Sequence, residues 1–458
     1  TATTEARRLF AHLALVGADE FAPWVAAPLL NTDEPTAAAV LENLAALGLI
    51  QLRRLTPPRY GLHGLVRARS AELLGEESDR AEVEQLYLET VLRLVTIADE
   101  HIEFGGVALV PLAAAGGLNL PATAAEAAKG APWLDDELPV AHAAVEMAAE
   151  PWPELAGLLA FRLSGYLAVR DEREAREAIV TCGRDAATRS GNVVLEAEMD
   201  RALFAAVVQS GSSSPERLAP LGERALVSAE RSGSAELIIA ALAQLSRLAS
   251  VRDDVDETSR IADRLLGIVE SNPVSDASRA RVHDRVAGLL QDRERISESL
   301  EQRRLACAFS TPGTRIHAIR LILLAETAIL EADLGASHRD ELSAAVATAR
   351  PIVDRIGDEL GSAHVDNLDA ITCILFGDLE AARLLLDRAS EIFDRRPDDA
   401  GEGINAVGRA RLDLVGGRPG QAREILRAAI ANLESSGFTA REIRGHWRLL
   451  GFGPVAPE

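Results

Sequence analysis

Gly377-Asp378-Leu379-Glu380-Ala381-Ala382-Arg383-Leu384-Leu385-Leu386-Asp387-Arg388-Ala389 holds a helix stop, a helix start and a packing face in one stretch. A tight polar turn, Gly377-Asp378, comes first. Ala382, Leu386 and Ala389 then follow at helical spacing, a small, a large and a small side chain on one face. Small residues there let a second helix lie close against the first. The arrangement returns after Gly417-Arg418 as Ala422, Leu426 and Ala429, and after Arg170-Asp171 as Ala175, Ile179 and Cys182. Working outward, helix pairs recur with first helices beginning near Trp152, Asn192, Ser234, Asp276, Thr314, Leu360 and Gly401, at spacings of 40, 42, 42, 38, 46 and 41 residues. Ser214-Pro215-Glu216 supplies one further start: a cap, a first-turn proline and a first-turn acid. A period of that size predicts a helical solenoid, in which each pair buries its apolar face by stacking on its neighbours.

Upstream the pattern changes. Strand signal concentrates in residues 49–63, where Leu49-Ile50-Gln51-Leu52 and Tyr60-Gly61-Leu62-His63 flank the turn-rich Thr56-Pro57-Pro58-Arg59. Before it, Ala37, Val40, Leu41, Leu44 and Leu47 keep helical spacing, and Gly48 is placed to end that helix. Residues 5–15 and 21–30 read as two short helices, and 65–74 as a fourth. Three helices, a hairpin and a helix is the order of a winged helix. A long amphipathic helix is expected over 79–101, then an uncharged Gly/Pro segment, 104–125, read as a surface linker running through Pro132. Its glycines and prolines argue against a membrane-spanning helix. Trp133 opens the next helix, through Ala149. The expected fold is all-α with one small β-hairpin: a winged helix at 1–78, a helical bridge with the Gly/Pro linker at 79–150, and a degenerate helical-repeat solenoid at 151–458.

Composition closes several routes to function. Acids outnumber bases 70 to 48 and the formal net charge is −22, which argues against a surface that tracks phosphates. All but one of the bases are arginine. The single lysine, Lys129, lies in Ala-Ala-Lys-Gly-Ala-Pro, so the Gly-Lys-Ser/Thr of a P-loop is missing and the chain is not a self-sufficient P-loop ATPase. Kinase and Schiff-base lysines have only that same poor candidate. Cys182, Cys307 and Cys373 lie more than 60 residues apart and form no CxxC pair, which points to a reducing cytoplasm. No signal peptide is read in residues 1–10.

The candidate chemistry is sparse. Among nine histidines no His-x-x-x-His or HExxH occurs, so no metal site is read from spacing. Asp253-Asp254-x-Asp256-Glu257 lacks the EF-hand spacing and reads as a helix-starting acidic turn. Ser210-Gly211-Ser212-Ser213-Ser214 reads as a turn, not a nucleophile elbow. Seventeen aromatics in 458 residues give no stacking platform. No convergent acid, base or metal set is visible, and no enzyme is expected. The third helix carries Asp33, Glu34 and Glu42 and no base, while Arg53, Arg54 and Arg59 of the hairpin offer only three charges. Direct DNA contact is therefore not expected.

Arg8-Leu9-Phe10, Leu41-Glu42-Asn43-Leu44, Gly48-Leu49-Ile50 and Tyr60-Gly61-Leu62-His63-Gly64-Leu65-Val66-Arg67 resemble the winged-helix domain that follows the nucleotide-binding core of STAND (NB-ARC-type) ATPases. The flavour is that of SARP/AfsR-like transcriptional regulators. Trp133-Leu134-Asp135-Asp136-Glu137, followed by Ala143-Ala144-Val145 and Ala148, resembles the start of the tetratricopeptide region in the same regulators. The helix pairs resemble tetratricopeptide repeats, with periods above the usual ~34 residues and without the Trp-Leu-Gly-Tyr set of the first helix.

This resemblance implies the C-terminal half of a regulator. A DNA-binding domain and an ATPase core holding ATP or ADP would precede Thr1. The winged helix would relay nucleotide state from that core, and the solenoid would sense a protein, a peptide or a small acidic ligand. Self-association on activation, a cytoplasmic location and no membrane contact go with it. His63 matches the histidine of the family's His-Asp pair, which contacts the nucleotide; Gly64 stands where the family has the aspartate. A histidine that caps or packs under the wing is the other reading.

Arg201, Arg279, Arg281, Arg315 and Arg320, on first helices, are the candidate groove for an acidic partner. The alternative is that they pair with acids such as Glu196, Asp200 and Asp284. Rival functions are a free-standing tetratricopeptide scaffold or adaptor, the sensor half of a defence-type STAND protein, and a helical-toroid enzyme.

Overall fold

The computed structural model of the 458-residue chain describes residues 3–102, 116–209, 215–252, 254–333, 338–435, 445 and 447. It forms two compact units, the first ending at residue 210 and the second beginning at 211. The boundaries expected at 78 and 150 both fall inside the first unit.

The first unit opens with α1 (Thr4–His12), a 3-10 turn, a second 3-10 turn leading into α2 (Ala26–Leu30), and α3 (Glu34–Ala46). Asp33 caps α3 by accepting from the Thr36 N–H at 2.8 Å, and the helix buries Ala37, Val40, Leu41 and Leu44. Strands β1 (Gln51–Leu55) and β2 (Pro58–Gly61) form the antiparallel hairpin, with Gln51 opposite Gly61. Phe21 adds one further rung against Tyr60. Then come α4 (Gly64–Leu74) and α5 (Arg80–Glu100). The helix–hairpin–helix order expected from the sequence is present.

One expectation needs correcting. The uncharged segment is not linker to its end, because Pro121–Ala127 forms α6, packed on α5 and on α7 (Ala131–Ala148). Pro121 sits in the first turn, where its missing N–H costs nothing. Residues 104–115 of that segment lie outside the described residues. The first unit closes with α8 (Pro153–Val169), α9 (Arg173–Ser190) and α10 (Val193–Gln209).

The second unit is helical throughout its described residues: α11 (Pro215–Ser232), α12 (Ala235–Val251), α13 (Val255–Ser271), α14 (Asp276–Asp292), α15 (Ile296–Ala308), α16 (Arg315–Asp333), α17 (Arg339–Ile356), α18 (Glu359–Phe376), α19 (Leu379–Arg395), α20 (Asp399–Val415) and α21 (Pro419–Ser435). The first helices α8, α10, α12, α14, α16, α18 and α20 begin within two residues of the expected positions. Asp254 caps α13, accepting from the Glu257 N–H at 2.9 Å, as an acidic helix start should. The Ser210–Ser214 turn and Asp253 lie outside the described residues.

The chemistry of the quoted stretch is local. Gly377 leaves α18 with φ 87°, a region closed to most side chains. Asp378 then accepts from the Ala381 N–H at 3.1 Å and starts α19. Ala382, Leu386 and Ala389 are fully buried, as are Ala422 and Leu426 of α21. In α9 the register differs by one residue. Ala175 and Cys182 are only half-buried, and Gly183 makes the close approach: a Cβ there would stand 2.2 Å from that of Ala160 on α8. The core of the second unit is a string of clusters, such as Leu321, Leu324, Val346, Leu368 and Ile371, each bridging neighbouring pairs. Among the described residues no helix is long and apolar enough to cross a membrane.

Candidate functional site

In the second unit the first helices lie against one another, α12 on α14, α16 on α18 and α18 on α20. Four of them line a shallow cleft with only about 10 Å³ of room, formed by Gln291 of α14, Glu326 and Ile329 of α16, Leu368 and Ile371 of α18, and Ile404 of α20.

Two turns before Gln291 on α14 stands Asp284, which is buried. Its carboxylate accepts from Arg303 Nη1 of α15 at 3.2 Å and from Arg320 Nε of α16 at 2.8 Å. Both arginines are buried as well. Arg285, the next residue, is half-buried, and Arg247 of α12 is exposed. Neither makes a hydrogen bond, ion pair or ring contact among the described residues. Burial brings Arg285 down to about 10; Asp284 opposes the fall, and the charges of Arg247, Arg303 and Arg320 deepen it. The guanidiniums of Arg285, Arg303 and Arg320 thus act on the Asp284 carboxylate, while the acid whose charge acts on Arg247 is Asp398.

The arginines picked out from the sequence divide. Arg201 Nε donates to Glu198 at 2.9 Å in the first unit, Arg315 Nε donates to Asp358 at 2.6 Å, and Arg320 is held by Asp284. For these three the pairing reading is what the structure gives. Arg279 lies 5.8 Å over the Phe309 ring. Arg281 is half-buried on the same helix. The residues that sequence reasoning missed are Arg247, Arg285 and Arg303. One signal was available for Arg247: it is the only charge in α12 after Glu236.

Further along this unit His364 Nε2 lies 2.9 Å from Asp398 Oδ2, with the Phe393 ring edge-on at 5.9 Å. Burial opposes the charged imidazole, but the Asp398 hydrogen bond and charge outweigh it and raise His364 above its usual value. Asp398 is lowered against its own burial by His364 and by the N–H groups of Gly401 and Ala400. Burial raises all three free thiols, Cys307 to about 12, which disfavours thiolate chemistry.

In the first unit the acidic triplet of α7 takes up the hairpin. Arg59 Nη2 lies 2.7 Å from Glu137 Oε1, with 6% and 3% of the two side chains exposed. Arg54 Nη2 donates to Asp136 at 2.6 Å, and the rings of Trp24 and Trp133 lie 6.4 Å apart. Asp135 turns the other way, accepting from Tyr166 Oη at 2.9 Å and from both Nε and Nη2 of Arg170 on α8. Two of the hairpin arginines that had seemed open to a DNA backbone are therefore engaged by protein carboxylates. Glu34, at the start of α3, accepts from the N–H groups of Ala122 and Thr123 on α6. His63 is exposed at the N-cap position of α4 and makes no side-chain cap bond. A Cβ at Gly64 would meet nothing within 4 Å.

No protein-family model and no curated protein matches the sequence. Among solved structures the chain is similar to the crystal structure of a signal transduction ATPase with numerous domains (STAND) protein with a tetratricopeptide repeat sensor from Pyrococcus horikoshii. The identity is 12%, the TM-score 0.40, and the match covers 94% of this chain and 63% of that one. The chain spans less than two thirds of that protein's length.

Proposed function

We propose that this chain is the sensor portion of a STAND-type, SARP/AfsR-like transcriptional regulator, and that the face around Asp284 binds an acidic ligand or an acidic segment of a protein partner. The observation that carries the reading is the pair Arg247 and Arg285, which make no hydrogen bond or ion pair among the described residues, Arg285 lying next to an aspartate already bound by two arginines. Guanidiniums present paired donors in a fixed fork, which suits carboxylates and phosphates.

The module of residues 1–78 is, in this reading, the winged helix that meets an ATPase core outside this chain, where ATP or ADP is held. His63 and the exposed Leu52, Leu55 and Leu65, at 48%, 75% and 80% exposure, form the surface that meets it, with the imidazole N–H turned to phosphate. The Asp135–Glu137 triplet joins hairpin to α8 and passes the state on. The fragment itself makes no direct DNA contact and works in the cytoplasm, with self-association following activation. The experiment is reporter output in cells carrying the full-length protein with Arg247→Ala and Arg285→Ala together. Loss of switching at unchanged protein abundance supports a sensor. Unchanged switching removes the sensing role of these two arginines, and a reporter that the wild-type protein does not switch at all favours the free-standing scaffold.

A further inference from the structure

We propose that His12, Glu77 and Asp79 form a binding site for a divalent transition-metal ion, with zinc the best fit, which ties α1 to the turn before α5. His12 is fully buried at the end of α1. Its Nδ1 lies 2.9 Å from the Leu29 carbonyl oxygen. A carbonyl only accepts, so Nδ1 carries the hydrogen and a neutral ring presents its lone pair from Nε2. Among the described residues that Nε2 has no hydrogen-bond partner, and neither does the buried Oδ1 of Asp79, which it faces at 3.4 Å. Glu77 completes the group: one atom from each of the three residues lies within 4.8 Å of the others.

The separation is informative. At 3.4 Å the pair is too far apart for a good N–H···O bond. Two ligands on one tetrahedral zinc, each about 2.0–2.2 Å from the metal, stand roughly 3.3–3.6 Å apart. The surroundings fit as well. A backbone carbonyl on the far ring nitrogen is the usual way a ligating histidine is oriented. Arg8 Nη2 donates to Asp79 Oδ2 at 2.6 Å, which engages one carboxylate oxygen and leaves the other turned toward His12. One imidazole nitrogen with two carboxylates suits zinc and its first-row neighbours, whereas calcium and magnesium prefer all-oxygen sets. Three protein ligands leave a fourth position to water. Spacing rules miss the site because His12 and Glu77 are 65 residues apart in sequence and meet only through the fold.

The test uses residues 1–458 stripped with chelator and titrated with zinc or cobalt ions. The expected result is one ion per chain, a rise of several degrees in melting temperature, and visible cobalt absorption without the thiolate charge-transfer band that Cys182, Cys307 or Cys373 would add. Glu77→Gln, at a half-exposed position, should leave the metal-free melting temperature unchanged and weaken binding by about tenfold or more, since losing even a supporting group around a metal costs about 10–100-fold. His12→Gln should abolish binding, and Glu77→Gln keeps the test valid if that buried variant does not fold. Absence of one-to-one binding, or equal affinity in Glu77→Gln, overturns the site and leaves a simple His12–Asp79 ion pair.

Discussion

The arginines of the hairpin and those of the α12–α14 face sit in the same acidic chain and meet opposite fates. Arg54 and Arg59 end on Asp136 and Glu137, and their charge is spent inside the molecule. Arg247 and Arg285 make no hydrogen bond or ion pair among the described residues and feel only the charges of Asp398 and Asp284, the latter already held by two other arginines. Counting arginines along the sequence cannot separate the two sets; counting carboxylates around each guanidinium can. A partnered arginine is structural, and removing it leaves a buried acid without compensation. An arginine without a partner is available to a ligand.

The largest effect that would test this contrast lies in the first unit. Arg59→Ala strands Glu137, whose carboxyl burial already pushes up against the pull of Arg59. The expected cost is about 3–5 kcal/mol by chemical denaturation; a cost near zero would mean the hairpin is not locked to α7. Next comes Asp284→Asn, which takes the carboxylate from Arg303, Arg320 and the neighbouring Arg285. It should destabilise the second unit by about 1–3 kcal/mol while tightening anion binding. Weaker anion binding in that variant would show that Asp284 serves the ligand rather than competing with it.

His364 and Asp398 give a partnered pair that can be titrated. His364 is raised above 6.5, so its contribution is complete below that value and is lost as pH climbs through the folded-state pKa. Asp398 is lowered below 3.8, so its share is present above that value and is lost only as pH falls through its own folded-state pKa. The stability difference between wild type and His364→Gln, about 1 kcal/mol for a hydrogen-bonded pair, should shrink from mildly acidic to alkaline pH. A difference that grows with pH would contradict the pairing. The smallest effect is expected from Arg247→Ala with Arg285→Ala. With no hydrogen bond or ion pair among the described residues lost, stability should stay within about 0.5 kcal/mol or rise slightly as like charges are removed.

What the sequence made legible follows the range of the interactions. Gly377 and Asp378 stop one helix and start the next through contacts within four residues, so the helix starts could be placed closely. The packing face of α9 came out one residue off because apolar spacing alone does not say whether Cys182 or Gly183 faces α8; the nearness of Ala160 decides it. Helix α6 was hidden because Pro121 sits among glycines that read as linker. Arg54 finds Asp136 across 82 residues, and nothing local to the hairpin marks that partner. That arginines gather on first helices could be read; which of them a carboxylate holds could not. Whether a given arginine is neutralised depends on the next helix pair, as Arg320 of α16 reaching Asp284 of α14 shows.

The most direct measurement is calorimetric titration of residues 1–458 with inorganic pyrophosphate, a compact polyanion, in wild type and in the Arg247→Ala, Arg285→Ala double variant. A chain of net charge −22 repels anions at large, so saturable binding requires a local positive site. The account predicts one site in the wild type, weakened by salt and lost in the double variant while its melting temperature holds. Absence of binding in the wild type, or equal binding in the variant, would contradict it.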